Sequence, residues 1–106
     1  LNLGAHVAPT GIAFYSGEMF PSDFKNNLFI TLHGSWNRSK KVGYKVIRVT
    51  LDEVGNVIES KDFISGWLDG ENVLGRPSAP LVMSDGSLLI SDDFGNRIYR
   101  IFYKGL

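Results

Sequence analysis

Between Leu32 and Val49 the chain reads LHGSWNRSKKVGYKVIRV, which sets an imidazole, an indole, hydroxyls and several cations a few residues apart. His33 is a candidate general acid or base, or a polar contact to a ligand, once a neighbouring group fixes its tautomer. The same roles are open to His6, and sequence order identifies a carboxylate partner for neither. A strand-end histidine satisfied by backbone groups is the competing reading of both. Trp36 offers a flat apolar wall to a ligand, or closes a sheet as half-buried packing. Lys40 and Lys41 read as solvated loop charges. Asp92, Asp93 and Asn96 outline a calcium loop, but DDFGN is too short for an EF-hand loop. Asx hydrogen bonds in a tight turn explain it, and no metal ligand is assigned.

These groups need a scaffold, and the apolar runs that flank them read as strands. Twelve glycines and four prolines break the chain into short stretches, and no segment holds a 3.6-residue apolar period. Strands are expected at Gly11–Tyr15, Leu28–His33, Tyr44–Leu51 and, more weakly, Val57–Phe63, with a helical turn near Met19–Phe24. A second series follows at Pro80–Met83, Ser87–Ser91 and Arg97–Tyr103, with SDG and DDFGN turns between its members. Arg48 and Arg100 fall within alternating strands, on a sheet face.

The second series repeats the first. PTGI at Pro9 matches PSAP at Pro77, LFI at Leu28 matches LLI at Leu88, and VIRV at Val46 matches IYRI at Ile98. The offset shrinks from roughly 70 to roughly 50 residues because the first copy has longer loops. Short antiparallel strands in such a repeat predict an all-β chain of about two β-propeller blades. One blade has four strands (about residues 9–66) and the other, incomplete, has three (about 76–106). Arg76 falls in the linker between them, where propellers place channel-facing groups. Such a unit cannot close a ring alone, so residues 1–106 read as a single C-terminal fragment of a propeller domain. The remaining blades, or copies of the chain itself, would complete it. The start at Leu1, without methionine or signal-like segment, fits an excised piece.

Composition narrows the function. Lys+Arg and Asp+Glu are equal at 11 each, so no net field draws in nucleic acid or an anionic membrane. No apolar run reaches the roughly 20 residues of a membrane helix. With no cysteine, neither disulfides nor thiolate metal sites arise.

The segments HVAPTGIAFY, LFITLHGSWNRSKKVGYKV and GRPSAPLVMSDGSLLISDDFGNRIYRI together resemble the C-terminal end of the soluble quinoprotein glucose/sorbosone dehydrogenases, most closely the sorbosone-dehydrogenase-like branch. The resemblance implies a six-bladed β-propeller, oxidation of a sugar at its anomeric or aldehyde carbon, and a periplasmic or exported location. It implies pyrroloquinoline quinone (PQQ) as cofactor and calcium in the parent protein. The calcium ligands and the catalytic base histidine lie in earlier blades, so no catalytic residue is assigned here. PQQ is a flat ortho-quinone with three carboxylates, and a guanidinium grips a carboxylate in a bidentate fork. By this resemblance Arg76 matches the family's cofactor-carboxylate arginine, and His6 takes the place of a small polar contact. Ser35 stands near a lysine that touches PQQ in the glucose-oxidising branch, with Arg38 as its substitute. A second arginine of that branch is Ser78 here. His33 joins the cofactor contacts and Trp36 the sugar contacts.

The expected function is therefore part of the PQQ and sugar pocket of an aldose or sorbosone dehydrogenase, inactive as a fragment. Two rivals stand beside it: a non-catalytic propeller module for binding or assembly, and a propeller that has lost the quinone site.

Overall fold

β-Branched and aromatic residues, spaced two apart between glycine-rich turns, drive the chain into pleated strands. The computed structural model describes residues 7–35 and 41–105. The strands β1 (Pro9–Phe14), β2 (Leu28–Leu32), β3 (Lys45–Leu51) and β4 (Val57–Ile64) form an antiparallel sheet in chain order. A small hairpin follows, β5 (Leu68–Asp69) with β6 (Asn72–Val73). Then β7 (Pro77–Val82), β8 (Leu88–Asp92) and β9 (Arg97–Ile101) form a three-stranded antiparallel sheet. Among the described residues helix is confined to one 3-10 turn, Ser22–Phe24, shorter than the Met19–Phe24 turn expected. The architecture is all-β and propeller-like, with the two main sheets where the repeat placed them.

Strand ends differ from the expected ones by one or two residues, as at β1, which begins at Pro9, and β9, which ends at Ile101. Two departures are larger. The β5–β6 hairpin was not foreseen, because two-residue strands carry no periodicity. In addition, β7 begins at Pro77 rather than Pro80. That strand pairs only with β8, and a sheet-edge position tolerates proline's missing N–H.

The repeat extends to a matching irregularity. Pro9 pairs with Leu32 and Gly11 with Thr31, leaving Thr10 as an extra residue in β1. Pro77 pairs with Asp92 and Ala79 with Ser91, leaving Ser78 in the same position of β7. The two bulges meet: the Thr10 hydroxyl donates to the Ser78 carbonyl at 2.6 Å, and the Thr31 hydroxyl to the same oxygen at 3.0 Å. Strands β1 and β7 are therefore neighbours across the boundary between sheets.

Between the sheets lies the main core, with Phe29 and Val46 of the first sheet and Leu88 and Ile90 of the second, closed by Tyr15, Phe20, Tyr44 and Trp67. Each such fully buried side chain stabilises the fold by about 1.5–3 kcal/mol relative to exposure. A second cluster, Val7, Ile30, Leu32, Ile47 and Val49, covers the opposite face of the first sheet. Tyr15 ties the sheets together. Its hydroxyl donates to Gly86 O at 2.7 Å and accepts from the Phe20 and Met19 N–H groups at 3.0 and 3.2 Å. Gly86 has φ +89°, and a Cβ there would lie 2.6 Å from Met19 N, so glycine alone fits. Arg48 does lie on a sheet face, but a covered one, at 8% exposure. Its guanidinium stacks 3.7 Å over Phe24, donates to Asn27 Oδ1 at 2.7 Å and reaches the Asp23 carbonyl at 2.8 Å.

Candidate functional site

Antiparallel pairing gathers four chain segments at one end of the molecule. His33 leaves the end of β2 beside the start of β1, since Leu32 pairs with Pro9. Arg76 enters β7 beside the end of β8, since Pro77 pairs with Asp92, and Asp93 comes next. The bulge contact between Thr10 and Ser78 brings both pairs of strand ends to the same edge.

At this edge the carboxylate of Asp93 joins the two sheets. His33 Nε2 lies 2.9 Å from both of its oxygens, and Arg76 Nε lies 3.5 Å from Oδ1. The hydrogen bond from His33 holds the Asp93 carboxyl below the ordinary aspartate value of 3.8. Partial burial pushes the other way, and the charges of His33 and Arg76 add to the lowering. Arg76 Nε is itself buried and, among the described residues, makes no hydrogen bond. Its guanidinium stands 5.5 Å above the Phe94 ring. The Nε faces Asp93, while the side chain as a whole is 39% exposed, and an accessible guanidinium can grip a carboxylate ligand in a bidentate fork.

Asp92 faces inward and builds the turn that carries its neighbour. At 3% exposure its Oδ1 accepts the N–H groups of Arg76 at 2.9 Å, Gly95 at 2.9 Å and Phe94 at 3.0 Å. Its Oδ2 accepts from the Tyr99 hydroxyl at 3.3 Å. This is the Asx turn expected from DDFGN, and it also pins the backbone of Arg76. An open groove of about 760 Å³ runs from the turn along Ser78, Asp93, Asn96 and Arg97.

The ends of the HGSWNR loop are clamped as well. Ser35 N–H donates to Val42 O at 2.9 Å, and Val42 N–H returns a bond to the Ser35 hydroxyl at 3.0 Å. The Tyr44 hydroxyl donates to Ser35 O at 2.8 Å. To reach it Tyr44 adopts φ +58°, a left-handed conformation that costs a non-glycine residue about 1–2 kcal/mol. Its ring fills the space a side chain at Gly34 would need, and the φ of +128° there disfavours any residue but glycine as well. Ser35 is thus buried as the keystone of the loop base. The Lys41 backbone N–H meets the Glu71 carboxylate at 3.1 Å.

Of the residues singled out from sequence, the fold brings Arg76 and His33 together and seats Ser35 two residues from His33. His6, Trp36, Arg38 and Lys40 lie outside the described residues. Asp93 was not expected at the site. Its signal was the doubled aspartate, since one carboxylate suffices for the turn. Among the described residues no group of three His, Asp or Glu side chains is arranged to hold a metal, and no helix is long and apolar enough to cross a membrane.

Comparison with known proteins bears on this edge. The profile of a family described as TrAA12-like matches residues 1–78. A protein of Borreliella burgdorferi, named only as uncharacterized, is 47% identical over 104 residues, covering 96% of this chain and 27% of that protein. The holo form of the pyranose dehydrogenase PQQ domain from Coprinopsis cinerea superposes with TM-score 0.69 at 25% identity, over 92% of this chain and 27% of that one. The calcium structure of the Trichoderma reesei carbohydrate-active enzyme of family AA12 superposes with TM-score 0.72 at 22% identity, over 91% of this chain and 24% of that one, a likeness of fold alone. The chain thus spans about a quarter of the length of the proteins it matches.

Proposed function

Because the chain belongs to the TrAA12-like family, we propose that it forms one wall of the cofactor pocket of a PQQ-dependent sugar dehydrogenase with a six-bladed propeller. The observation that carries this reading is the Arg76 side chain, 39% exposed at the edge where His33 also emerges on the same Asp93 carboxylate. In this reading Arg76 holds a carboxylate of PQQ, and His33 supplies a second polar contact from the opposite sheet. His6, Arg38 and Ser35 complete the cofactor contacts, and Trp36 lines the sugar side. When bound, PQQ supplies the two-electron acceptor for oxidation of an aldose or sorbosone. The chain's own residues bind and orient, while the catalytic base and the calcium ligands belong to other blades. The fragment alone is therefore inactive, and the location is periplasmic or exported.

The test is a PQQ titration of the protein carrying this chain. Arg76→Ala should weaken binding by about 1.5–3 kcal/mol through loss of a charge-assisted contact. Arg76→Lys should recover only part of it, because an ammonium lacks the bidentate fork. An unchanged titration in Arg76→Ala would count against the reading.

A second reading, a non-catalytic propeller module completed by other blades or by copies of the chain, draws on two observations. Asp93 already balances Arg76 and His33, and large apolar side chains such as Ile12 and Ile98 stand exposed on the sheets. Absence of any PQQ uptake by the unaltered protein would favour it.

A further inference from the structure

Asp93 contributes to neither the core nor its own turn. Asp92 satisfies the turn, and the Asp93 side chain, 54% exposed, spends its two oxygens on groups from distant parts of the chain. His33 comes from the first sheet and Arg76 from the strand entering the second, so one carboxylate bridges the boundary between them. An ionised carboxylate only accepts hydrogen bonds. An imidazole nitrogen 2.9 Å from both its oxygens must therefore carry hydrogen. In the neutral ring the hydrogen then belongs to Nε2, and Nδ1 is left as an acceptor.

We propose that Asp93 is a positioning residue of the site: it fixes His33 as the Nε2–H tautomer and keeps Arg76 turned toward the same edge. The proposal deepens the cofactor-pocket reading and rests on it for the identity of the ligand. It does not rest on it for the tautomer. A histidine held this way offers any incoming group an acceptor nitrogen of fixed direction, beside a guanidinium that donates. The pair suits a ligand presenting an O–H or N–H next to a carboxylate.

The experiment is nitrogen NMR of ¹⁵N-histidine-labelled protein without PQQ, at about pH 9, well above the ordinary imidazole value of about 6.5. In the unaltered protein the His33 Nε2 resonance should fall in the protonated range and Nδ1 in the lone-pair range. Asp93→Ala and Asp93→Asn should each collapse this into averaged shifts of mixed tautomers, and Asp93→Glu should restore much of the Nε2–H form. A predominant Nδ1–H tautomer in the unaltered protein overturns the proposal, and so does an unchanged tautomer in a folded Asp93→Ala or Asp93→Asn variant. If neither variant folds, the tautomer of the unaltered protein still decides. A PQQ titration of the same unaltered sample separates the two readings. A fixed Nε2–H tautomer with no PQQ uptake keeps the positioning role and removes the cofactor, whereas PQQ uptake with the other tautomer does the reverse.

Discussion

Asp92 turns its carboxylate inward from the end of β8 and receives three backbone N–H groups and one hydroxyl. Burial alone would raise its pKa, but the donors from Arg76, Gly95 and Phe94 outweigh burial and hold it below the ordinary value of 3.8. Because the folded value is the lower of the two, the stabilisation is fully present above pH 3.8 and is lost as pH falls through the folded value. Asp92→Asn keeps the shape and removes the charge. It should cost about 1.5–3 kcal/mol at pH 7 and flatten the acid side of the stability profile. Urea unfolding at pH 7 and at pH 3 checks this: the gap between the two proteins should narrow in acid, and an equal gap at both would refute it. The adjacent Asp93 is oriented by this turn, so two neighbouring aspartates divide structure from site.

The two sheets are joined by few polar contacts, and the Tyr15 hydroxyl makes one of them to Gly86 O while it also accepts two N–H groups of its own β1–β2 connection. Tyr15→Phe keeps the ring stacked on Phe20 at 4.9 Å but leaves Gly86 O and two N–H groups without this partner. The expected loss is on the order of 2–3 kcal/mol, read as a shift of the urea midpoint at constant slope. A loss below about 0.5 kcal/mol would mean that this hydroxyl adds little to what holds the sheets together. At this scale the sequence was informative where period-2 alternation ran five residues or more. KVIRVTL and RIYRI were readable, whereas the β5–β6 hairpin, with two residues a strand, was not. The matching of PTGI with PSAP was legible, but the bulges it encodes emerge only from the pairing register. Arg76 and His33 stood out by residue type and linker position. Asp93 did not, because its meaning depends on a histidine 60 residues away. Nor did the keystone role of Ser35, which needs Tyr44 in a left-handed backbone.

Across the whole molecule, both outer sheet faces carry large exposed apolar groups. Ile12 on the first sheet is 61% exposed and Ile98 on the last is 71% exposed. Surfaces of this kind favour association, so the 106-residue chain expressed by itself should self-associate at micromolar concentration. Light scattering decides the point, and a clean monomer mass with cooperative unfolding would refute it. The ties between the sheets have a kinetic consequence. The strand pairs inside each sheet close short loops, whereas Thr10 meets Ser78 across 68 residues and Tyr15 meets Gly86 across 71. Distant contacts form slowly because loop closure must come first. Each sheet should therefore assemble as its own hairpin array, with the Tyr15 clasp shutting after the rate-limiting barrier. In stopped-flow measurements Tyr15→Phe should then speed unfolding and leave the folding rate nearly untouched, making the clasp a determinant of how long the folded state lasts.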